Sequence, residues 1–176
     1  DNIRSSYSKG NWIVHKRYGV GQIRGFEKKH LDGEIQEFVK VKRDKDNFWI
    51  PSDRLKTSNI RQIASKHQMN QAILLIKRPS KGMSKNYRDR NYFMIEILNT
   101  VSLYDKARLL RDLYTRKRSK RLNEREQNIF NKIFNQIQKE YEIIFGVKRK
   151  KSKKIISKAL QSSFRDKRKI SNGKEK

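Results

Sequence analysis

The chain has 176 residues, 34% hydrophobic and 36% charged, with 45 Lys plus Arg against 18 Asp plus Glu and a formal net charge of +27. A typical globular domain is roughly 45–50% apolar and about 25% charged, so one large core is disfavoured and two small cores under solvated basic surface are expected. With no cysteine in the chain, disulfides, thiolate nucleophiles and cysteine zinc sites drop out. The longest aliphatic run, Ala72 to Ile76, falls far short of the about 20 apolar residues a membrane helix needs, so no membrane partner is expected. Nothing near Asp1 has a secretory pattern, and the expected location is the cytoplasm, in association with the nucleoid.

So positive a charge makes a polyanion the expected partner, because each phosphate met by Lys or Arg releases condensed counterions. The plainer alternative is a basic surface that only solubilises the protein. Residues 1–63 carry 14 basic and 8 acidic side chains, net +6; residues 64–147 carry 18 and 8, net +10; residues 148–176 carry 13 and 2, net +11. These three segments are the expected domains: a small β-barrel, a helical DNA-binding domain and a basic tail.

The first segment reads as short strands. Asn11 to His15 is rich in β-formers, and Gly19 to Glu27 follows a Lys-Arg-Tyr turn. Asp32-Gly33 is a hairpin signal, since both central positions of a type I′ turn need positive φ. Val39 and Val41 alternate with Lys40 and Lys42, which predicts one buried and one wet face. Phe48-Trp49-Ile50 forms a further strand ending at Pro51. Four or five short strands in so few residues must curl to cover their apolar face, which predicts an antiparallel barrel. Gly19, Gly21 and Gly25 do not form a phosphate loop, having no following Gly-Lys-Ser/Thr; they are read as bends or a bulge.

The period then changes. Ser65 and Gln68 form a capping box, and Met69, Ala72, Ile73 and Ile76 follow helical spacing up to Pro79. A second helix is predicted from about Asn86 to Leu98. A third is capped by Ser102, with Leu103, Ala107, Leu110 and Tyr114 on one face. A fourth is capped by Asn123 with Glu126, has a stripe from Phe130 to Ile144, and ends at Gly146. In the tail, Ile155, Ile156, Ala159, Leu160 and Phe164 recur at helical intervals among lysines. Disorder in isolation is the expectation there, with a short amphipathic helix formed on binding as the alternative.

Catalytic patterns are lacking: His15, His30 and His67 are scattered, and no nucleophile elbow or metal-ligand spacing occurs. No enzymatic activity, metal or cofactor is expected. Lys85-Asn86-Tyr87-Arg88-Asp89-Arg90 places an aromatic ring among cations at a helix start, where cations and helix amides suit phosphate and the ring can wedge against a base step. Packing of Tyr87 on the bundle is the equally open reading. Arg116, Lys117, Arg118, Lys120 and Arg121 form a cationic connection, a phosphate patch or simply a solvated loop. Lys148, Arg149, Lys150 and Lys151 open the basic tail. If Phe48 and Ile50 face the core, Trp49 is exposed on an edge strand, a candidate protein anchor.

In order and spacing, several strings resemble the CarD family of bacterial transcription regulators. They are Gly10 to Gly21, Leu31 to Val41 and Trp49-Ile50-Pro51, then Asn86 to Arg90, Arg108 to Tyr114 and Leu122 to Glu126. The N-terminal part is similar to the RNA-polymerase-interacting domain shared with the transcription-repair coupling factor. The resemblance implies an α+β protein whose Tudor-like barrel docks on the polymerase β subunit through Lys29 and Trp49. It implies a helical domain that contacts promoter duplex DNA through phosphates and the minor groove, with Tyr87 at a wedge position usually occupied by Trp and Arg90 at a DNA-contact position. Such proteins stabilise the open promoter complex without catalysis, and a monomer is expected. Asp89 departs from a commonly basic position, and the tail from Lys148 is an addition. Two other readings stay open: a nucleoid-type DNA-binding protein acting without polymerase, and an RNA-binding factor.

Overall fold

In the computed structural model, residues 7–57 and 59–172 are described, with backbone alone over 166–172. The chain divides into two compact units between Ile63 and Ala64. The first six positions and those beyond 172, which fall in the expected barrel and tail, lie outside the described residues.

The first unit is a five-stranded antiparallel sheet: β1 (Trp12–His15), β2 (Gly19–Leu31), β3 (Glu34–Arg43), β4 (Asp46–Pro51) and β5 (Ile60–Gln62), in the order β4-β3-β2-β1-β5. Asp32 (φ 51°) and Gly33 (φ 84°) make the tight β2–β3 turn, as the Asp-Gly pair predicts. Register shifts between Ile23 and Gly25, a bulge that bends β2. Alternation then sorts the faces: Val39, Val41, Phe48 and Ile50 turn inward to Ile13 and Ile23. Ile60 from one edge strand and Phe48 from the other join one cluster, plugged by Leu55 on a 3-10 turn (Ser52–Lys56). The sheet therefore curls over its core. Its edges, β4 and β5, are not paired with each other among the described residues, so side chains rather than a closed ladder complete the expected barrel.

The second unit holds five helices: α1 (Lys66–Lys77), α2 (Tyr87–Leu98), α3 (Leu103–Ser119), α4 (Glu124–Phe145) and α5 (Arg149–Asn172). The capping boxes at Ser65 and Asn123 are both formed, the Ser102 hydroxyl accepts from the Asp105 amide, and Gly146 ends α4 in a left-handed conformation. Helix α3 is central. Beyond the expected stripe it buries Leu109 and Leu113, and it touches the four other helices.

Over positions 149–172 the structure has a helix, where disorder in isolation was the expectation and an amphipathic helix the alternative. Helix α5 is long, and Ile156, Ala159 and Leu160 are fully buried in the same core as Met69, Ile76 and Ile133. The lysines that suggested disorder point outward, while the apolar stripe covers surface left by α1 and α4.

A buried ionic link ties three helices. The Glu126 side chain is 0% exposed, and its Oε1 accepts from Arg90 Nε at 3.0 Å and Arg116 Nε at 3.2 Å. Glu126 Oε2 also accepts from the Asn123 amide at 3.2 Å. Burial alone would raise the Glu126 pKa; the bonds from Arg90, Asn123 and Arg116 outweigh it and hold the carboxyl below its ordinary value. Glu126 thus stays charged, and fixes α2 and the end of α3 to the start of α4.

Two variants test this architecture. A Cβ at Gly21 would lie 2.5 Å from Val41 Cγ1; Gly21→Ala should destabilise the sheet unit by about 1–3 kcal/mol in urea titration. Glu126→Gln leaves two guanidinium groups without their carboxylate and should cost about 3 kcal/mol. Because the folded Glu126 pKa is depressed, its contribution is complete above the ordinary carboxylate pKa and vanishes as pH falls through the folded value. The variant's stability should therefore vary less with pH than the parent's below about pH 4, where glutamates titrate.

Candidate protein and nucleic-acid interfaces

On the sheet, β2, β3 and β4 align Glu27, Lys29, Phe38, Lys40 and Trp49 on the outer face, with Glu27 opposite Phe38 and Lys40 opposite Trp49. Trp49 is 39% exposed, while Phe48 and Ile50 on either side are buried. Its indole is fixed from two directions. Nε1 donates to Glu27 Oε2 at 2.7 Å, and the Lys29 ammonium stands 3.9 Å from the ring centroid. Lys40 completes the set with an ion pair to Glu27 at 3.1 Å. The Trp49 bond, then the Lys40 bond, lower the Glu27 pKa. The result is a preoriented aromatic plate with charged flanks, on a strand at the edge of the sheet among the described residues. Such a surface suits an amphipathic protein partner. Lys29 and Trp49, paired in expectation, do meet here. Glu27 and Lys40 were not anticipated at this site; the period-two spacing of Glu27 from Lys29 and of Lys40 from Phe38 was the available signal.

In the helical unit, the Asn86 side chain caps α2, accepting from the Arg88 amide at 2.8 Å and the Asp89 amide at 3.4 Å. Tyr87 is 50% exposed at the first helical position, next to exposed Lys85 and Arg88. Packing of Tyr87 on the bundle, the other reading of the sequence, is met in part: half the side chain is covered, and the Arg90 guanidinium stands 5.9 Å from its ring centroid. Tyr92 is 68% exposed. It follows Arg88 by four positions, so the two share a face, and that spacing was the missed clue.

Arg90 requires a correction. Expected as a DNA contact, it is only 6% exposed and is consumed internally. Besides Glu126, it donates from Nη1 to the carbonyls of Ser84 at 2.9 Å and Lys85 at 2.7 Å. It fixes the chain entering α2, and so positions Tyr87 rather than touching a ligand. Arg116 is partly engaged by the same carboxylate.

The two basic clusters of the sequence are redistributed by the fold. Lys85 joins Arg116 and Lys120 around a hollow of about 280 Å³ that also includes Ser119 and Thr115. The buried Thr115 hydroxyl has no hydrogen-bond partner among the described residues. Lys117 instead lies 5.2 Å from the Phe130 ring centroid and lines a separate groove with Arg149. Arg118 stands over Phe164 at 5.4 Å. Arg121, Lys148, Lys150 and Lys151 are exposed. Among the described residues, no group of three or more His, Cys, Asp or Glu is arranged to hold a metal ion.

Known proteins match this chain along most of its length. The model of the CarD-like/TRCF RID domain matches residues 7–64, and that of the CarD C-terminal domain matches residues 71–157. The second match ends within α5. A Bacillus subtilis (strain 168) protein named "Putative transcription factor YdeB" is 23% identical over 146 residues, spanning 82% of this chain and 95% of its own. Both halves match in order, each on one of the two structural units, and the chain belongs to the CarD family.

Proposed function

We propose that this protein is a non-enzymatic transcription regulator. Its sheet unit docks on the β subunit of bacterial RNA polymerase through the Trp49 plate, with Lys29, Glu27 and Lys40 setting its orientation. Its helical unit holds promoter duplex beside the transcription bubble. The observation that carries this reading is Tyr87, half-exposed at the mouth of α2 beside the cationic hollow of Lys85, Arg116 and Lys120.

Cations there hold phosphates, and the positive end of α2 adds to the grip. The Tyr87 ring enters the minor groove where the duplex is distorted. Arg88 and Tyr92 extend the contact along α2. Arg118, Arg121, Lys148, Lys150 and Lys151 add phosphate contacts without reading bases.

Docking through the sheet raises the local concentration of the helical unit near DNA. Tyr87 meets distorted DNA that closed duplex does not offer, so the open state is favoured by the difference in affinity. The protein acts as a monomer in the cytoplasm, on the nucleoid. A nucleoid-type role without polymerase is the second reading, favoured by the exposed lysines of α5.

Three measurements test these assignments. Tyr87→Ala should leave polymerase binding intact and shorten open-complex lifetime about fivefold, the effect of losing about 1 kcal/mol of stacking; an unchanged lifetime removes Tyr87 from the mechanism. Trp49→Ala should weaken capture of the isolated β subunit by about tenfold or more. Duplex binding in a salt series decides the second reading, which requires tight binding near 0.15 M salt without polymerase.

A further inference from the structure

A second groove lies between α3, α4 and α5, with a volume of about 490 Å³. Tyr114, Phe130 and Phe134 form its floor, and Lys117, Arg149 and Lys153 its rim. Phe130 lies 6.5 Å from Tyr114 and 6.1 Å from Phe134 between ring centroids, so the aromatic floor is continuous. Asn131 and Asn135 add exposed amides, and none of the lining residues is acidic. Aromatic surface within a ring of cations, with no carboxylate, matches a ligand that alternates flat bases with phosphates.

The groove is not sealed at its ends. Lys117 also walls an adjoining hollow that contains Arg121 and, on its lining, one carboxylate, Glu124. On the other side α5 continues with exposed Lys150 and Lys154. Cations beyond both ends of the groove favour a strand over a free mononucleotide. Duplex DNA keeps its bases stacked inside and cannot lay them on this floor, whereas an unpaired strand can.

We infer that this groove binds unpaired DNA, with bases stacked on Phe134 and Tyr114 and phosphates held by Lys117, Arg149 and Lys153. It goes beyond the duplex contact at Tyr87 and uses different side chains for its bases, so the two can fail separately. A transcription regulator that holds duplex at one face and a single strand at another gains affinity only when the duplex has melted.

The test uses the full chain and a labelled oligodeoxythymidylate about a dozen nucleotides long, a duplex of equal length, an oligouridylate and inorganic polyphosphate. Phe134→Leu keeps apolar volume but removes the ring. It should weaken single-strand binding about tenfold, with duplex binding changed by less than about twofold. Lys153→Gln, at an exposed position, should lower the single-strand salt slope by about 0.7; it keeps the test decisive if Phe134→Leu fails to fold. The inference is overturned if the oligodeoxythymidylate does not bind, if both variants bind it like the parent, or if both lose strand and duplex equally. Displacement by polyphosphate at equal charge concentration, or tenfold preference for the oligouridylate, overturns it too.

Discussion

The helical unit depends on one buried carboxylate. Glu126 belongs to the capping box that starts α4, and the same oxygens hold Arg90 of α2 and Arg116 of α3. An isolated charge at that depth would be strongly disfavoured; with two guanidinium groups and a backbone amide it becomes a fixed node. Arg90 then holds the Ser84 and Lys85 carbonyls, which sets where the chain enters α2. The exposure of Tyr87 is thus a consequence of an ion pair that never reaches solvent.

The sheet unit reaches a similar end by different means. Among the described residues its core cluster is apolar, and its outer face is organised by strand pairing. Register across β2, β3 and β4 brings Glu27 and Lys29 to the indole of Trp49 from a distant part of the chain. Exposed pairs of this kind add little to stability. They set the orientation of a large ring that would otherwise rotate. In both units, charge positions an aromatic group that the apolar core leaves outside.

Much of the fold was legible from local chemistry. Asp32-Gly33, the Ser65 and Asn123 caps, Gly146 and the Phe48-Trp49-Ile50 alternation each specify geometry within a few residues, and each is realised. What depends on distant partners was not legible. Glu126 and Arg90 are 36 positions apart, and Trp49 and Glu27 are 22 apart. Local reading made Arg90 a surface cation and Glu126 merely a helix-end charge. It also undervalued α5, since a high density of lysine says nothing of whether the apolar residues between them find a surface to cover. The split of the 116–121 cluster between two grooves follows from helix phase at the end of α3, which charge counting ignores.

Docking α5 on the bundle concentrates like charge. Residues 64–165 carry 26 basic and 8 acidic side chains, and folding draws this excess together against its own repulsion. Dissolved ions or a bound polyanion relieve that repulsion in the compact form more than in the expanded chain. Whatever occupies this surface therefore also consolidates the fold beneath it, through the coupling of ligand occupancy to stability. The same cations that would attract a polyanion would make the unit firmer with one bound.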